Sequence, residues 1–520
     1  MTQSCRLSRR RFLAAAGVVP AAVALGWPGR GRSATATLRV SSSADLQVLD
    51  PAFLISSQEL NQLELMLRRL VSFKGRADTS VEMDAAETVE QVDPLHVKFT
   101  LMKGIAWSDG FGELTAEDVK FSFERVIDPA LKSPYAGDWA ALDHVEVTGS
   151  HAGILVLKEP SATLWTIALP GWSGLIVCKK AVEALPGRQI RTQVPAVAGP
   201  YRMKEWVPKQ RTVYVPNPAW SGAPASWAEI VITPIDDPNA SELAYEAKEV
   251  DLSRLSLATL ARYKKEGTPA GSKVIEMPSL AYVWLGMNID NPALKDIRVR
   301  RAIQKAVDVK ATVEAAYFGV AEPSTGIVAP SLIGHRNIPP MQRDVEGARK
   351  LLAEAGVDHL GLTLDIANDM QRVLAAQVIQ ASLAEVGIDV TINKHDSGVM
   401  DTLGQESAGP GWKDIQLILN RFSMSPDPSW ATEWFTPEQI GVWNWERFNS
   451  QEFGTLHKQA KAELDPEKRA GLYRRMQDLM EDSGAYVFLT HELRAYICRD
   501  GVVPEFKPDG EPMFAKFRPA

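Results

Sequence analysis

Two hydrophobic periods alternate along the chain. From residue 96 to 101, Val97, Phe99 and Leu101 alternate with His96, Lys98 and Thr100, the pattern of a half-buried strand. Beyond a glycine-containing turn the period changes to that of a helix: Val119, Phe123, Val126 and Ile127 form one apolar stripe. Thr115 can cap that helix, Glu117 and Asp118 suit its positive end, and Pro129 stops it. Leu60, Leu63, Leu67 and Leu70 predict a helix over 58–70. Val299, Ile303, Ala306 and Val307 predict a second over 298–317, closed by Gly319. A third runs from Asp344 as N-cap to Gly356 just past its end. Short strands are read at 38–40 and 230–235, a hairpin over 201–207 and 212–215 turning at Lys209-Gln210, and a buried strand at 282–288. Residues 362–367, 374–386 and 388–392 form a βαβ unit. A helix over 456–480, interrupted near Asp465-Pro466, precedes a last buried strand at 487–489. No internal repeat or low-complexity run is visible, and the class is α/β with more than one lobe.

The 520 residues amount to about three to four ordinary domain lengths. With 45% apolar residues the chain buries a core without staples, and three Cys exclude a disulfide scaffold. The first 36 residues hold six Arg and no acid. Ser8-Arg9-Arg10-Arg11-Phe12-Leu13 fits a twin-arginine export signal; an apolar stretch follows at 14–25, then Ala34-Thr35-Ala36 as an A-x-A cleavage site. A basic arm that stays on the protein is the alternative. Cys5 precedes the arginines, so no lipid anchor is expected. The whole chain has 57 Lys and Arg against 64 Asp and Glu; without those six Arg the net charge moves from −7 to −13. A mature chain that acidic is a poor partner for nucleic acid, and no later run of 18 apolar residues offers a membrane span. In an oxidising destination Cys178 and Cys498 either pair or stay as buried thiols.

Local catalytic signatures are missing. Gly171-Trp172-Ser173-Gly174 has the wrong spacing for a nucleophile elbow, and neither a phosphate-binding loop nor a dinucleotide fingerprint is present. His491-Glu492 lacks the second His of a zincin helix, and the eight His are scattered. Triads assembled from distant positions stay open, so an exported hydrolase acting on peptide-like compounds remains the alternative function.

Five stretches, in order, resemble the family 5 extracellular solute-binding proteins of ABC importers, the peptide/nickel/oligopeptide class. They are Val48-Leu49-Asp50-Pro51; the run 97–129, with Trp107-Ser108-Asp109-Gly110 and Thr115-Ala116-Glu117-Asp118-Val119; Gly199-Pro200-Tyr201 with Val215-Pro216-Asn217-Pro218-Ala219-Trp220; Gly286-Met287-Asn288 with Arg298-Val299-Arg300-Arg301-Ala302-Ile303; and Phe448-Asn449-Ser450-Gln451-Glu452-Phe453. The resemblance implies a two-lobed periplasmic binding protein fold, type II, with an inserted subdomain. Lobe I would take 37–67, 198–280 and 488–520, the insert 68–197 and lobe II 281–487, with hinge crossings near 282–288 and 485–490. It further implies a monomeric periplasmic receptor that needs no cofactor or metal, closes on its solute and serves a membrane permease.

In peptide-binding members a lobe II Asp holds the ligand ammonium, with a Trp three residues before it. Anchored on Asp427-Pro428, those two positions are Met424 and Arg421 here. Exchanging an acid for a thioether and adding a guanidinium disfavours an ammonium and favours a carboxylate. Pairing of Arg421 with an acid such as Asp427, or exposure to solvent, is the bland alternative. Arg372 stands near where those relatives place an Arg for the carboxylate, and is otherwise a solvated residue at a helix start. Trp443, Asn444 and Trp445, together with Trp284 and Tyr282, are candidates for an aromatic cleft wall, each also readable as core. The loop 53–58 is a candidate for lobe I contacts. The ligand expected is a small peptide or peptide-like, carboxylate-bearing solute.

Overall fold

The structure, a computed structural model, describes residues 36–75 and 78–520. The export segment read at 1–36 lies, apart from Ala36, outside the described residues.

A ten-stranded mixed sheet forms the spine. At its centre two long strands, Ser272–Met287 and Tyr486–Arg499, run antiparallel. Sixteen residues span about 50 Å, so the first reaches from one half of the molecule into the other. Their pairing is broken twice, and the wider break is in the middle: Pro278 faces Leu493 and Tyr282 faces His491, leaving Ser279, Leu280 and Ala281 opposite Glu492 alone, while Val283 on Thr490 and Trp284 on Phe488 skip only Leu489. On one flank lie Leu417–Ser423, then the parallel pair Leu360–Ala367 and Ile388–His395. On the other lie Leu252–Leu255, the parallel pair Thr37–Ser42 and Glu229–Pro234, and the hairpin Arg211–Pro216 with Tyr201–Val207. A separate four-stranded antiparallel sheet comprises Ala86–Asp93, His96–Leu101, Ala152–Leu157 and Leu142–Gly149.

The period of two decides which core each strand feeds. On Ser272–Met287, Val283, Leu285 and Met287 enter a core with the helices of the βαβ unit, while Tyr282 and Trp284 enter an aromatic core on the opposite face. The small sheet shares a single core with the far half of the large one, from Val97 and Phe99 to Leu38 and Val40.

Two predicted helices are shorter than their hydrophobic spacing suggests. The helix over 58–70 stops as Ser57–Leu63. Beyond it the backbone serves tertiary partners: Leu65 and Met66 carbonyls accept from Tyr201 and Gly199, and Arg68 accepts from Ile176. A Cβ at Gly199 would lie 2.5 Å from the Leu65 carbonyl oxygen, so only glycine permits this approach. The span 298–317 is two helices, Ile297–Ala306 and Val309–Ala316. Asp308 breaks it by capping the second, accepting from the Ala311 amide at 2.9 Å. Cys178 and Cys498 are both buried and not bonded to each other.

The motif-rich run 97–129 is a staple. Thr115 and Asp118 form a capping box, and Asp118 also accepts from Trp107 Nε1 at 3.3 Å and from the Lys179 amide at 2.8 Å. Arg125 grips the buried Asp50 through both guanidinium nitrogens at 2.9 and 3.0 Å. Through Asp50 and Lys179 the run is tied to the segments before and after it.

Candidate functional site

A cavity of about 440 Å³ opens where the register breaks. Ser279, Leu280 and Ala281 form its floor. One wall is Ser423 to Pro426 with Trp430; the other is residues 55–58 with Tyr135, Asp138 and the 166–172 turn. The walls therefore come from sequence regions on both sides of the central strands. The strand Leu417–Ser423, parallel to Leu360–Ala367, directs its carboxyl end here, where sheets of this kind bind ligands. A hydrogen bond crosses between the walls: Thr166 Oγ1 donates to Asp427 at 2.6 Å. A backbone bond beside it runs from the Ala162 amide to the Lys461 carbonyl at 2.9 Å. Asp427 is itself fixed by Arg469 at 2.8 Å; burial raises its carboxyl, and Arg469 outweighs this and holds it below the usual range.

The sequence-predicted residues are spread over three settings. Met424 is buried and lines the cavity. Arg421 lies just outside, its Nη1 3.0 Å from Ser423 Oγ, which does line it. Its Nε donates to Glu492 at 2.8 Å, and Arg372 reaches the other oxygen of the same carboxylate at 3.0 Å. Burial pushes the Glu492 carboxyl up, but the two guanidiniums hold it below the usual range. Arg372 also lies 3.8 Å from Asp369, so two guanidiniums face two carboxylates here, and the half-exposed Arg421 is the accessible edge of this network. The bland alternative holds for Arg421, which is exposed and paired with an acid, Glu492 rather than Asp427, which takes Arg469; it does not hold for Arg372, which is buried.

The aromatic candidates sit deeper. Tyr282 and Trp284 are each 1% exposed and stack at 5.2 Å between centroids. Trp284 Nε1 donates to Glu446 at 2.7 Å, and burial lifts the Glu446 carboxyl to about 7. Asn444 is a fully buried brace whose side chain donates to the Phe435, Thr436 and Phe448 carbonyls. Trp445 packs in a small satellite core with Met400, Ile415 and Ile418. Trp443 is half-buried and meets Phe422 and Trp434 edge to face at 5.9 and 6.0 Å. Trp430 is the tryptophan of this region on the cavity wall.

Several wall residues escape sequence reasoning. Tyr135, Asp138 and Trp172 come from short turns without hydrophobic periodicity. Asp138 is half-buried, and burial raises its carboxyl to about 7 against the nearby Lys461. Arg494 and Lys507 also reach the wall. The loop 53–58 is legible, and Ile55, Ser56, Ser57 and Gln58 all line the cavity.

Comparison with known proteins decides the family. The model of "Bacterial extracellular solute-binding proteins, family 5 Middle" matches residues 80–441, more than half of the chain. The chain is a family 5 extracellular solute-binding protein. It is 28% identical over 499 residues to the "Probable di/tripeptide-binding protein 5" of Pseudomonas aeruginosa, covering 90% of this chain and 93% of that one. It is 27% identical over 465 residues to the "Probable D,D-dipeptide-binding periplasmic protein DdpA" of Escherichia coli, covering 87% and 88%. Among solved structures, HbpA2 from Haemophilus parasuis matches with a TM-score of 0.81 at 21% identity, over 93% of this chain and 100% of that one. DppA from Helicobacter pylori in complex with the peptide STSA matches with 0.74 at 23%, over 93% and 98%. The fold is thus a mixed α/β periplasmic binding protein of type II. The family consists of receptors, so this binding protein is no enzyme and the hydrolase reading falls away. Among the described residues, no helix is long and apolar enough to cross a membrane.

Proposed function

We propose that this binding protein captures a small peptide or peptide-like, carboxylate-bearing solute and hands it to the membrane permease of an ABC importer. The cavity of about 440 Å³, walled from both sides of the register break, carries this reading. Such a volume suits a ligand of a few residues. The ligands in the relatives' names, di- and tripeptides in one and a D,D-dipeptide in another, support the same class. Lobe I is assigned to 37–67, 198–280 and 488–520, the insert to 68–197 and lobe II to 281–487. The break at 279–281 supports a hinge slightly before the stretch expected from sequence. Closing the lobes brings the two walls together, and the ligand favours the closed form through contacts made only there.

Arg421, supported by Arg372 through Glu492, is assigned to the ligand carboxylate, with Met424, Trp430 and the 55–58 loop around its body. Trp443, Asn444, Trp445, Trp284 and Tyr282 act behind that wall by fixing its shape. The protein works as a periplasmic monomer exported through the twin-arginine route. Mass spectrometry of ligand extracted from freshly purified protein tests the assignment. A peptide-like carboxylate is expected; a sugar or a metal chelate in its place would overturn it.

A further inference from the structure

The charges on the cavity wall do not balance. Arg494 is engaged by Glu511, and Lys507 is held by Glu64 at 3.1 Å and by Asn61 Oδ1 at 2.5 Å. Both wall cations therefore already have anions behind them. Of the two wall carboxylates, Asp509 accepts from the Glu511 amide at 3.0 Å, whereas on the opposite side Asp138 has, among the described residues, no side-chain hydrogen bond or ion pair. Lys461, with which Asp138 shares the lining of a neighbouring cavity of about 390 Å³, forms its ion pair with Glu433 at 3.6 Å. The arginines at 421 and 372 are likewise met by Glu492 and Asp369, so the repulsion of an ammonium argued from the sequence does not extend across the cavity.

The surroundings of Asp138 are those of an amine site. Tyr135 and Trp172 line the cavity with it, their rings 5.9 Å apart. Aromatic faces attract cations, and a carboxylate beside them adds a charge-assisted hydrogen bond. An unpaired carboxylate is costly in such a place unless a cation comes to it. The burial that lifts its carboxyl toward neutrality is the same cost seen as a titration.

We propose that Asp138, with the rings of Tyr135 and Trp172, is the subsite for a cationic group of the ligand, a primary ammonium, at a place on the wall separate from the Arg421 patch. The inference rests on the peptide reading above and sharpens it: the preferred ligand carries both charges, its carboxylate toward Arg421 and its ammonium toward Asp138.

The test uses the mature protein and a mixture of di- and tripeptides, each supplied with a free and with an N-acetylated amino terminus. Retained members are counted by mass spectrometry after gel filtration. The free-amine forms should be retained at least about tenfold over their acetylated partners, one charge-assisted contact's worth. Asp138→Asn, which keeps the side-chain shape, should bring the two forms to parity. Equal retention by the native protein, or a preference that survives Asp138→Asn, overturns the subsite while leaving the peptide reading in place. Retention of neither form overturns the peptide reading and the subsite with it.

Discussion

The stretches 97–129 and 420–446 are both rich in aromatic and charged residues, and they behave differently. In the first, polar groups end on fixed structural partners in the run and in the segments beside it: Asp118 on Thr115, Trp107 and Lys179, Arg125 on Asp50. In the second, Asn444 and Glu446 end on buried partners, but the part over 420–430 turns to the cleft: Asp427 bonds Thr166 across it, Arg421 shares Glu492 with Arg372, and Met424 and Trp430 line the cavity. The part of the sequence that most clearly marks the family is the part that holds the scaffold. The part that meets the solute carries few local rules, because its partners stand across a cavity.

The comparison breaks most readily at the staple. Arg125→Ala leaves Asp50, 1% exposed, as a buried unpaired carboxylate, and should cost about 3–5 kcal/mol. A large fall in the urea midpoint is expected, with the affinity of the folded fraction unchanged; a lost affinity at full stability would put Asp50–Arg125 in the site.

Glu446 offers the next effect. One of its oxygens takes the Trp284 bond, and the other has no partner among the described residues. Burial raises its carboxyl from 4.5 to about 7, so the folded protein keeps a proton that the unfolded chain releases. This contribution is fully present below pH 4.5, is lost as pH rises to about 7 and is flat above. Glu446→Gln should remove that slope and stabilise the protein by about 3 kcal/mol at pH 8. Equal midpoints for variant and native protein at pH 8 would show that Glu446 ionises without penalty.

Within the cleft, Arg421→Ala should weaken ligand binding by more than about tenfold, or ~1.4 kcal/mol, by calorimetry. The exposed Arg474→Ala serves as control and should leave it unchanged. Equal affinities would remove Arg421 from the site. The smallest effect is expected at the bond between the walls. Thr166→Val deletes one hydrogen bond worth about 1 kcal/mol, so affinity should fall by no more than about fivefold, with a shift toward the open form. A larger loss would make Thr166 a ligand contact.

Legibility followed the same division. The strand 96–101 and the helix behind Thr115 are visible in the sequence because period and cap agree there. The helix over 58–70 is overextended, since its four leucines are buried whether or not the last turns are helical. Asp308 was a readable cap inside 298–317, outvoted by the apolar stripe on both sides of it. At the site, Met424 and the 55–58 loop were found through the family pattern. Asp138 was not, because a lone acid in a short turn has no local signature; only the missing partner in space distinguishes it. Trp443 and Trp445 drew attention by composition, although what decides a tryptophan's role is which way its strand or turn faces.

The central claim is that two halves close on a peptide and leave it intact. Small-angle scattering with and without the extracted ligand, followed by mass analysis of the recovered ligand, tests it most directly. The account predicts a smaller radius of gyration on binding and an unchanged ligand mass. An identical scattering profile, or fragments in place of the ligand, would contradict it.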